Sequence, residues 1–253
     1  MRGNRQVPSH ISPRKLTYVS TPQVLMIPAL EGETGLVHGF STISLGTMGL
    51  THAPDPDAVM ASRRQFARVL GIDAEPLTVA GAVHGASVAR VDEQQGVVRG
   101  VDGLVTDRRG VALFATFADC YPVVLWDAEH RAAALVHAGW RGTVARVAPA
   151  ALKAMRDEYG TDPAHVKAGI GPGICGACYE VGEEVARQFD AAFVRPGSDG
   201  KFLLDLAAAN RAQLEAEGVE VDVIGLCTKE TDYLPSHRRA PDGTRFGAIV
   251  AIK

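Results

Sequence analysis

The stretch FADCYPVVLW, residues 117–126, places an acid and a thiol inside an otherwise apolar run. Asp119 and Cys120 are neighbours, and Pro122 follows two positions after the cysteine. A strand that is buried on both faces has little use for an acid, because a buried carboxylate needs a partner or a polar cavity. We therefore expect this pair to lie at the end of a strand, where it faces either a functional site or a turn.

The composition is that of an ordinary globular protein with a sizeable core: 253 residues, of which 46% are hydrophobic and 22% charged. The net charge is −3 and no basic stripe stands out, so we expect no nucleic-acid partner. Four cysteines in a chain of this length do not form a disulfide framework, and they favour a reducing, cytoplasmic setting. The longest apolar stretch, residues 110–126, is interrupted by Asp119 and Pro122, and residues 1–20 contain no apolar segment. We therefore expect neither a membrane span nor a secretory signal.

Short apolar runs bounded by Gly, Pro or Asp recur along the chain and predict β-strands. Several are apolar at nearly every position, which is typical of strands that are covered on both sides. With the helices between them they predict an α/β (α+β) fold: a single domain over residues 21–253, with mixed β-sheets flanked by helices, after a loose N-terminal extension at residues 1–20. The predicted strands are residues 23–27, 35–40, 77–83, 87–91, 111–117, 123–126, 132–137, 166–170, 221–226 and 246–252.

Helical patterns lie between these strands. Residues 56–70 follow Asp55, a suitable N-cap, and end before Gly71. Residues 143–159 carry one apolar face, and Pro149 within them should kink the helix or mark a second start. The two remaining predicted helices are residues 182–189 and 206–217.

Three strand ends carry side chains suited to metal binding or nucleophilic catalysis: Cys120, His84 in GAVHGASV and His137 in LVHAGWRGT. Zinc prefers four tetrahedral N and S ligands, and a site with three protein ligands keeps the fourth position open for catalysis. Without metal, a cysteine beside a histidine is a thiolate–imidazole pair for nucleophilic catalysis. A third interpretation makes Cys120 a small buried apolar residue and leaves both histidines bound to local backbone groups. Separations of 36 and 17 residues match no compact metal motif, so these alternatives stay open.

Several charged residues near these segments are candidate substrate contacts. Asp119 could orient a histidine or cap a turn. Arg141, in the small-residue turn HAGWRGT, could hold a phosphate at a helix start or be solvated. The segment SHRRAPDGTRFG gathers His237, Arg238, Arg239 and Arg245, which could cover an anionic substrate or belong to an exposed turn.

The segment GPGICGACYEVG contains Cys175-x-x-Cys178, a spacing found in redox and zinc sites. The chain has no second such pair, and Cys227 is isolated in the sequence. We therefore expect a Gly-rich loop that leads into a helix, rather than a metal site.

The order of these motifs resembles the YfiH/YlmD family, whose members are also called laccase-domain proteins or multicopper polyphenol oxidases. Purine nucleoside phosphorylase and adenosine deaminase activities are assigned to members of that family. The resemblance implies that His84, Cys120 and His137 bind zinc and form the active site, within a cysteine-hydrolase-like architecture. It rests on HGFST (38–42), VHG (83–85), DGLVTD (102–107), ADCYPVVL (118–125), HAGWRGT (137–143), GPGICGACYEVG (171–182), LCT (226–228) and SHRR (236–239).

The resemblance further implies a zinc-dependent enzyme of purine nucleoside metabolism. It would phosphorolyse adenosine, inosine, guanosine or methylthioadenosine, deaminate adenosine, or do both. Its partners would be a small-molecule nucleoside and phosphate, with no nucleic acid and no membrane, and the chain would be a monomer or a weak homodimer. Copper could replace zinc, but eight histidines without a single His-x-His pair do not supply a multicopper cluster, so we reject a laccase mechanism.

Two alternatives remain beside this function. One is a metal-independent Cys–His hydrolase, or an oxidoreductase, that acts on cell-wall precursors. The other is a non-catalytic protein that binds metal or nucleoside. Departures from the family pattern bear on substrate choice: Ile43 stands where the family usually has arginine, and Ala82 where it has glutamine. Because phosphorolysis needs positive charge for its second substrate, the missing arginine predicts phosphorolysis that is weaker than in relatives that keep it, with deamination less affected.

Overall fold

The computed structural model describes residues 21–51, 53–73 and 75–253, so the expected extension at residues 1–20 lies outside the described residues. Most of the longer strands carry apolar side chains on both faces. The strands are β1 (Val24–Leu25), β2 (Leu36–Ser41), β3 (Thr78–Gly81), β4 (Val88–Arg90), β5 (Val97–Arg99), β6 (Gly103–Thr106), β7 (Ala112–Phe117), β8 (Tyr121–Asp127), β9 (Ala132–Ala138), β10 (Val166–Ile170), β11 (Glu180–Val181), β12 (Val194–Pro196), β13 (Phe202–Leu204), β14 (Glu220–Val223) and β15 (Phe246–Ile252). The α-helices are α1 (Pro56–Val69), α2 (Trp140–Val144), α3 (Val147–Tyr159), α4 (Glu183–Ala186) and α5 (Leu206–Glu215).

Two six-stranded sheets and one small sheet organise these strands. The first sheet has the order β1-β2-β15-β7-β3-β5, the second β14-β10-β8-β9-β6-β4, and the small sheet β11-β13-β12. Both large sheets are mixed: β3 runs parallel to β5 and β7 in the first, β10 runs parallel to β14 and β4 to β6 in the second, and the other neighbours are antiparallel. The predicted class, an α/β domain with mixed sheets flanked by helices, is confirmed.

The two large sheets pack face to face. Along β8, Val124 and Trp126 belong to the core between the sheets, whereas Val123 and Leu125 belong to the core on the outer side of the second sheet. That outer core is closed by α3, α5 and the small sheet, and α1 covers the outer side of the first sheet. Because β8 and β9 are buried at every position on both faces, their sequences are continuous apolar runs without alternation.

All ten predicted strands overlap strands of the structure. The sequence missed β5, β6 and the small sheet, which are only two to four residues long and too short to show a period. The predicted helix at residues 143–159 is two helices, which meet at Arg146 in the left-handed conformation (φ 61°). Pro149 lies in the first turn of α3, where its missing N–H leaves no intrahelical bond unmade, so it marks the second start. None of the helices in the described part of the chain is long and apolar enough to cross a membrane.

Candidate active site

Asp119 and Cys120 lie where the chain passes from one large sheet to the other. Strand β7 of the first sheet ends at Phe117, and strand β8 of the second sheet begins at Tyr121. Asp119 adopts a positive φ of 85° in this connection, a conformation that aspartate tolerates better than most residues. The pair is therefore at a strand end, as the apolar run around it predicted.

The Asp119 side chain is bound on both oxygens. Oδ1 accepts a hydrogen bond from the Thr228 hydroxyl at 2.7 Å, and Oδ2 accepts one from the backbone N–H of Arg238 at 2.7 Å. Its backbone carbonyl accepts a further bond from the Ile174 N–H at 2.9 Å. Asp119 thus joins three distant segments next to Cys120, and its carboxylate positions the chain.

The register between β8 and β9 brings Cys120 to His137. Pro122 is paired with His137 and Tyr121 with Ala138, so the position opposite Cys120 is that of Gly139. Cys120 and His137 are then diagonal neighbours on one face of the sheet, within reach of each other. That face points between the two sheets, where the His137 ring lies 5.2 Å from that of Phe117.

His84 reaches the same place from the loop between β3 and β4, which also crosses from the first sheet to the second. It has a left-handed φ of 62°. A buried carboxylate holds this conformation: Asp102 accepts backbone N–H bonds from His84 at 2.8 Å, Gly85 at 2.7 Å and Val83 at 3.3 Å. Three such bonds make up for the strain of a positive φ.

Asp102 also holds His137. Its backbone carbonyl accepts the His137 N–H at 2.7 Å, and its Oδ1 lies 3.5 Å from His137 Nδ1. At 3.5 Å the second contact is too long for a strong hydrogen bond, so the carboxylate acts on the imidazole mainly through its charge. Because Asp102 is at Nδ1, the other ring nitrogen is left for Cys120. One buried aspartate thus orients both histidines.

One ligand atom from each of His84, Cys120 and His137 lies within 4.8 Å of the others. The His84 and His137 rings are 5.1 Å apart and meet edge to face. His137 is buried, Cys120 is half-buried and His84 is exposed, so the group opens on one side to solvent. The structure therefore brings together the three residues that the sequence singled out, as a possible metal site with an open side.

The charges of these groups depend on one another. Burial alone would raise the pKa of Cys120, but hydrogen bonds with His137 and His84 lower it to about 6. Burial would likewise lower the pKa of His137, but Asp102 and Cys120 raise it to about 9. Each group therefore favours the charged form of the other, and a cation bound between the three residues would take the place of the imidazolium proton as the partner of the thiolate.

The space for this group depends on Gly139, the N-cap of α2. A Cβ at this position would stand 2.9 Å from Cys120 Sγ and 3.4 Å from His84 Cδ2. Any larger residue would press on two of the three candidate ligands, which explains a small residue immediately after the strand that carries His137.

A cavity of about 660 Å³ opens from the His84–Cys120–His137 group. Its positive charge comes from Arg63 on α1 and from Arg238 and Arg245 in the C-terminal part of the chain, where His237 directly precedes Arg238. Tyr179 supplies an aromatic wall, and the Arg238 guanidinium lies 5.0 Å from the centre of its ring. A cavity of this size with fixed arginines suits an anionic substrate beside a flat one.

Two of the predicted anion-binding arginines do not line this cavity. The Arg239 guanidinium donates to the carbonyls of Thr228, Lys229, Thr231 and Leu234, so it closes a loop instead. Arg141 is exposed and lies 4.3 Å from the centre of the Trp140 ring on the outside of α2. The expected phosphate site at the start of this five-residue helix therefore has no support in the cavity.

Ile43 and Ala82, the two departures from the family pattern, also differ in whether they line the cavity. Ala82 lines the cavity, whereas Ile43 does not; its backbone N–H bonds to the carbonyl of Tyr233. Of these two departures, the one at Ala82 is therefore the one that changes a wall of the cavity.

Three features escaped the sequence analysis. Asp102 was seen only as the first residue of DGLVTD, although an acid directly before a buried strand is the same signal as Asp119. Tyr179 was passed over because nothing local distinguishes an aromatic cavity wall from a surface residue. Cys227 is isolated in the sequence but not in the fold, because its Sγ accepts the Cys175 N–H at 3.3 Å.

With this geometry the chain can be compared with known proteins. The family described as "Multi-copper polyphenol oxidoreductase laccase" matches residues 37–253. A purine nucleoside phosphorylase of Streptomyces coelicolor is 45% identical over 78% of this chain and 83% of its own length. One of Deinococcus radiodurans is 40% identical over 78% of this chain and 79% of its own. An adenosine deaminase from an unknown prokaryotic organism is 39% identical over 64% of this chain and 67% of its own.

Solved structures give the same result for the fold. The hypothetical protein YfiH of Bacillus licheniformis superposes with a TM-score of 0.85 and 26% identity, over 92% of this chain and 98% of its own. YlmD of Geobacillus stearothermophilus superposes with a TM-score of 0.81 and 32% identity, over 87% and 93%. Fold and site together define an enzyme of the YfiH/YlmD type. The chain belongs to this laccase-like family, as its motifs predicted.

Proposed function

We propose that this protein is a zinc-dependent enzyme that phosphorolyses purine nucleosides. The observation that carries the proposal is a single cavity that contains both the His84–Cys120–His137 group and arginines, among them Arg238 and Arg245. Relatives named purine nucleoside phosphorylase, 40% and 45% identical to this chain, support the substrate class. The four cysteines are free, which fits the reducing cytoplasmic setting in which we place the enzyme.

The donor set fits zinc. One thiolate and two imidazoles are soft and borderline ligands, the thiol is already acidic, and Asp102 behind His137 is the carboxylate that commonly orients a zinc-bound histidine. When bound, zinc would act as a Lewis acid toward an oxygen of the substrate. His84, Cys120 and His137 would hold it, with the exposed side at His84 left for substrate.

The remaining residues position the two substrates. In phosphorolysis the bond from ribose C1′ to the purine nitrogen breaks, and a bond from C1′ to a phosphate oxygen forms. Arg238 and Arg245 would hold the phosphate by charge and forked hydrogen bonds. The Tyr179 ring would pack against the nucleoside, and Asp119 would keep Arg238 in place through its backbone N–H.

Deamination of adenosine is the second reaction we assign to this site, because one relative is named adenosine deaminase. That reaction needs an acidic group to move protons to the leaving amine. Within the described residues, Asp119 is the one carboxylate that lines the cavity, and both its oxygens are already hydrogen-bonded. The site therefore favours phosphorolysis, although Ile43 in place of an arginine led the sequence to predict that this reaction is weakened.

Incubation of the purified protein with adenosine, with and without phosphate, tests the proposal. We expect adenine only with phosphate, and we expect a chelator to abolish its release. Inosine in both samples and no adenine would make the protein a deaminase. Arg238→Gln and Arg245→Gln should raise KM for phosphate, whereas Arg141→Gln, a matched exposed arginine outside the cavity, should leave it unchanged.

A metal-independent hydrolase is the competing function that the geometry supports. Cys120, His137 and Asp102 follow one another as nucleophile, base and orienting acid, the arrangement of a thiol triad. Chelation separates the two functions, because a thiolate enzyme keeps or gains activity when metal is removed. Turnover that survives exhaustive chelation would overturn the zinc proposal.

A further inference from the structure

A second group of metal-ligating side chains lies outside the cavity. Cys175, Cys178, Cys227 and Glu230 each offer one ligand atom, and these atoms all lie within 4.8 Å of one another. We propose that these four residues, the second site, hold a thiophilic divalent cation such as zinc, and that this ion is structural.

Each half of the second site is a turn that presents two ligands three residues apart. In the first half the Cys178 N–H donates to the Cys175 carbonyl at 2.9 Å. In the second half the Glu230 N–H donates to the Cys227 carbonyl at 3.3 Å. Cys-x-x-Cys facing Cys-x-x-Glu has the spacing of paired zinc-binding turns, with one cysteine replaced by a carboxylate, which zinc also accepts.

A short parallel bridge holds the two halves together. Gly173 pairs with Cys227, and the Thr228 N–H donates to the Gly173 carbonyl at 2.9 Å. The bridge places the Cys175 N–H 3.3 Å from Cys227 Sγ, although the two residues are 52 positions apart. Backbone N–H groups that point at a cysteine sulfur are a common support of metal thiolates.

The donor distances suit a tetrahedral ion. Bonds of about 2.3 Å from zinc to sulfur and about 2.1 Å to oxygen separate the two atoms by about 3.6 Å in a tetrahedron. Cys175 Sγ and Glu230 Oε2 are already 3.8 Å apart. Cys227 is buried, Cys175 and Cys178 are half-buried and Glu230 is exposed, so an ion can enter from solvent.

The group brings three thiols and one carboxylate together from two distant segments of the chain. Zinc binds thiolates and carboxylates, so each cysteine would release its proton to solvent when the ion binds.

The position of the second site explains what the ion would do. Ile174 and Thr228, each next to a ligand, are the residues that bind the carbonyl and the carboxylate of Asp119. Tyr179, which follows Cys178, lines the cavity. An ion here would fix the floor of the candidate active site without contacting substrate.

Metal counting on the full chain tests the proposal. We expect two zinc ions per chain in the wild type after loading and removal of excess, one in Cys227→Ser and one in Cys120→Ser. Lys229→Ala, an exposed neighbour that offers no ligand, should keep two. Cys120→Ser tests the site in the cavity and Cys227→Ser tests the second site, so each proposal can be refuted without the other.

Cobalt substitution gives an independent reading of the same variants. The second site has three cysteines and the cavity site has one, so the second site should contribute about three-quarters of the thiolate-to-cobalt charge-transfer absorbance. Cys227→Ser should lose most of the second site's share. If Cys227→Ser does not fold, Glu230→Ala, which changes an exposed side chain, should still release this ion at a lower chelator concentration. Wild-type metal content in Cys227→Ser, or a native mass that is two hydrogens short because a disulfide joins these cysteines, would overturn the proposal.

Discussion

Replacing Asp102 with asparagine should weaken both the fold and the metal site, because one carboxylate serves both. Asp102 is fully buried and accepts N–H bonds from Val83, His84 and Gly85, at distances of 2.7 to 3.3 Å. Asparagine has the same shape but presents an NH2 group in place of one oxygen, so at least one backbone N–H faces another donor. With hydrogen bonds to charged groups worth about 1.5–3 kcal/mol and an unmet buried donor costing about 1–3 kcal/mol, the free energy of unfolding should fall by ~2–4 kcal/mol.

The effect on the metal follows from the other contact of Asp102. Its Oδ1 lies 3.5 Å from His137 Nδ1 and supplies the negative charge behind that imidazole. Loss of such an orienting carboxylate typically lowers metal affinity ~10–100-fold, or about 1.4–2.8 kcal/mol. Chelator competition would measure the affinity in a Cys227→Ser background, so that the second site does not contribute, and urea denaturation would measure stability.

Asp127 is a matched control within the same chain. It is equally buried, accepts the N–H groups of Glu129 and His130, and lies 2.8 Å from His130 Nδ1, at the opposite end of β8. Asp127→Asn should destabilise the chain to a similar extent and leave zinc affinity and kcat/KM unchanged. If Asp102→Asn bound zinc as tightly as the wild type, or if both variants lost zinc equally, Asp102 would have no role at the metal beyond stability.

Three further perturbations test other parts of the structure. Gly139→Ala would place a methyl group 2.9 Å from Cys120 Sγ, so zinc affinity should fall at least ~10-fold with an unchanged circular dichroism spectrum, and undiminished affinity would show that the thiol moves aside freely. Cys120→Ala should lose the zinc of the cavity and phosphorolysis while the fold survives, and an active variant would remove the thiolate from the mechanism. Burial lowers the pKa of His38 from 6.5 to about 4, and a hydrogen bond with Ile27 opposes this shift only in part. Between pH 4 and pH 6.5 the folded chain therefore binds fewer protons than the unfolded chain. Stability should therefore be lost as pH falls from about 6.5 to about 4, by ~3 kcal/mol, and an unaltered urea profile against pH in His38→Gln would contradict this.

The ten predicted strands and the site histidines were readable from sequence because their signals are local. A strand such as β8, covered on both faces, is a continuous apolar run, and a polar pair within it marks the place where the strand ends. The three candidate ligands follow such runs, and the family motifs around them set Cys120 apart from the other cysteines.

The direction in which each polar side chain points was not readable in this way. Asp119, Arg238 and Arg239 were all candidate substrate contacts from the sequence. In the structure the Arg239 guanidinium closes a loop, and the Asp119 carboxylate accepts the backbone N–H of Arg238. Only the position of the 228–239 segment against the end of β8 decides which charges face the cavity. Long-range packing of this kind leaves no periodic trace in the chain.

Strand register decided the rest. The pairing of β8 with β9 sets Cys120 beside His137, the β6–β9 ladder sets Asp102 behind that histidine, and the bridge at Gly173 brings Cys227 to a cysteine pair 49 residues or more away in sequence. The sequence by itself determined where the longer strands run and that His84, Cys120 and His137 are candidate metal ligands. The tertiary structure alone determined that the candidate metal-ligating side chains form two groups, because backbone hydrogen bonds between distant strands fix distances that the spacing along one chain leaves free.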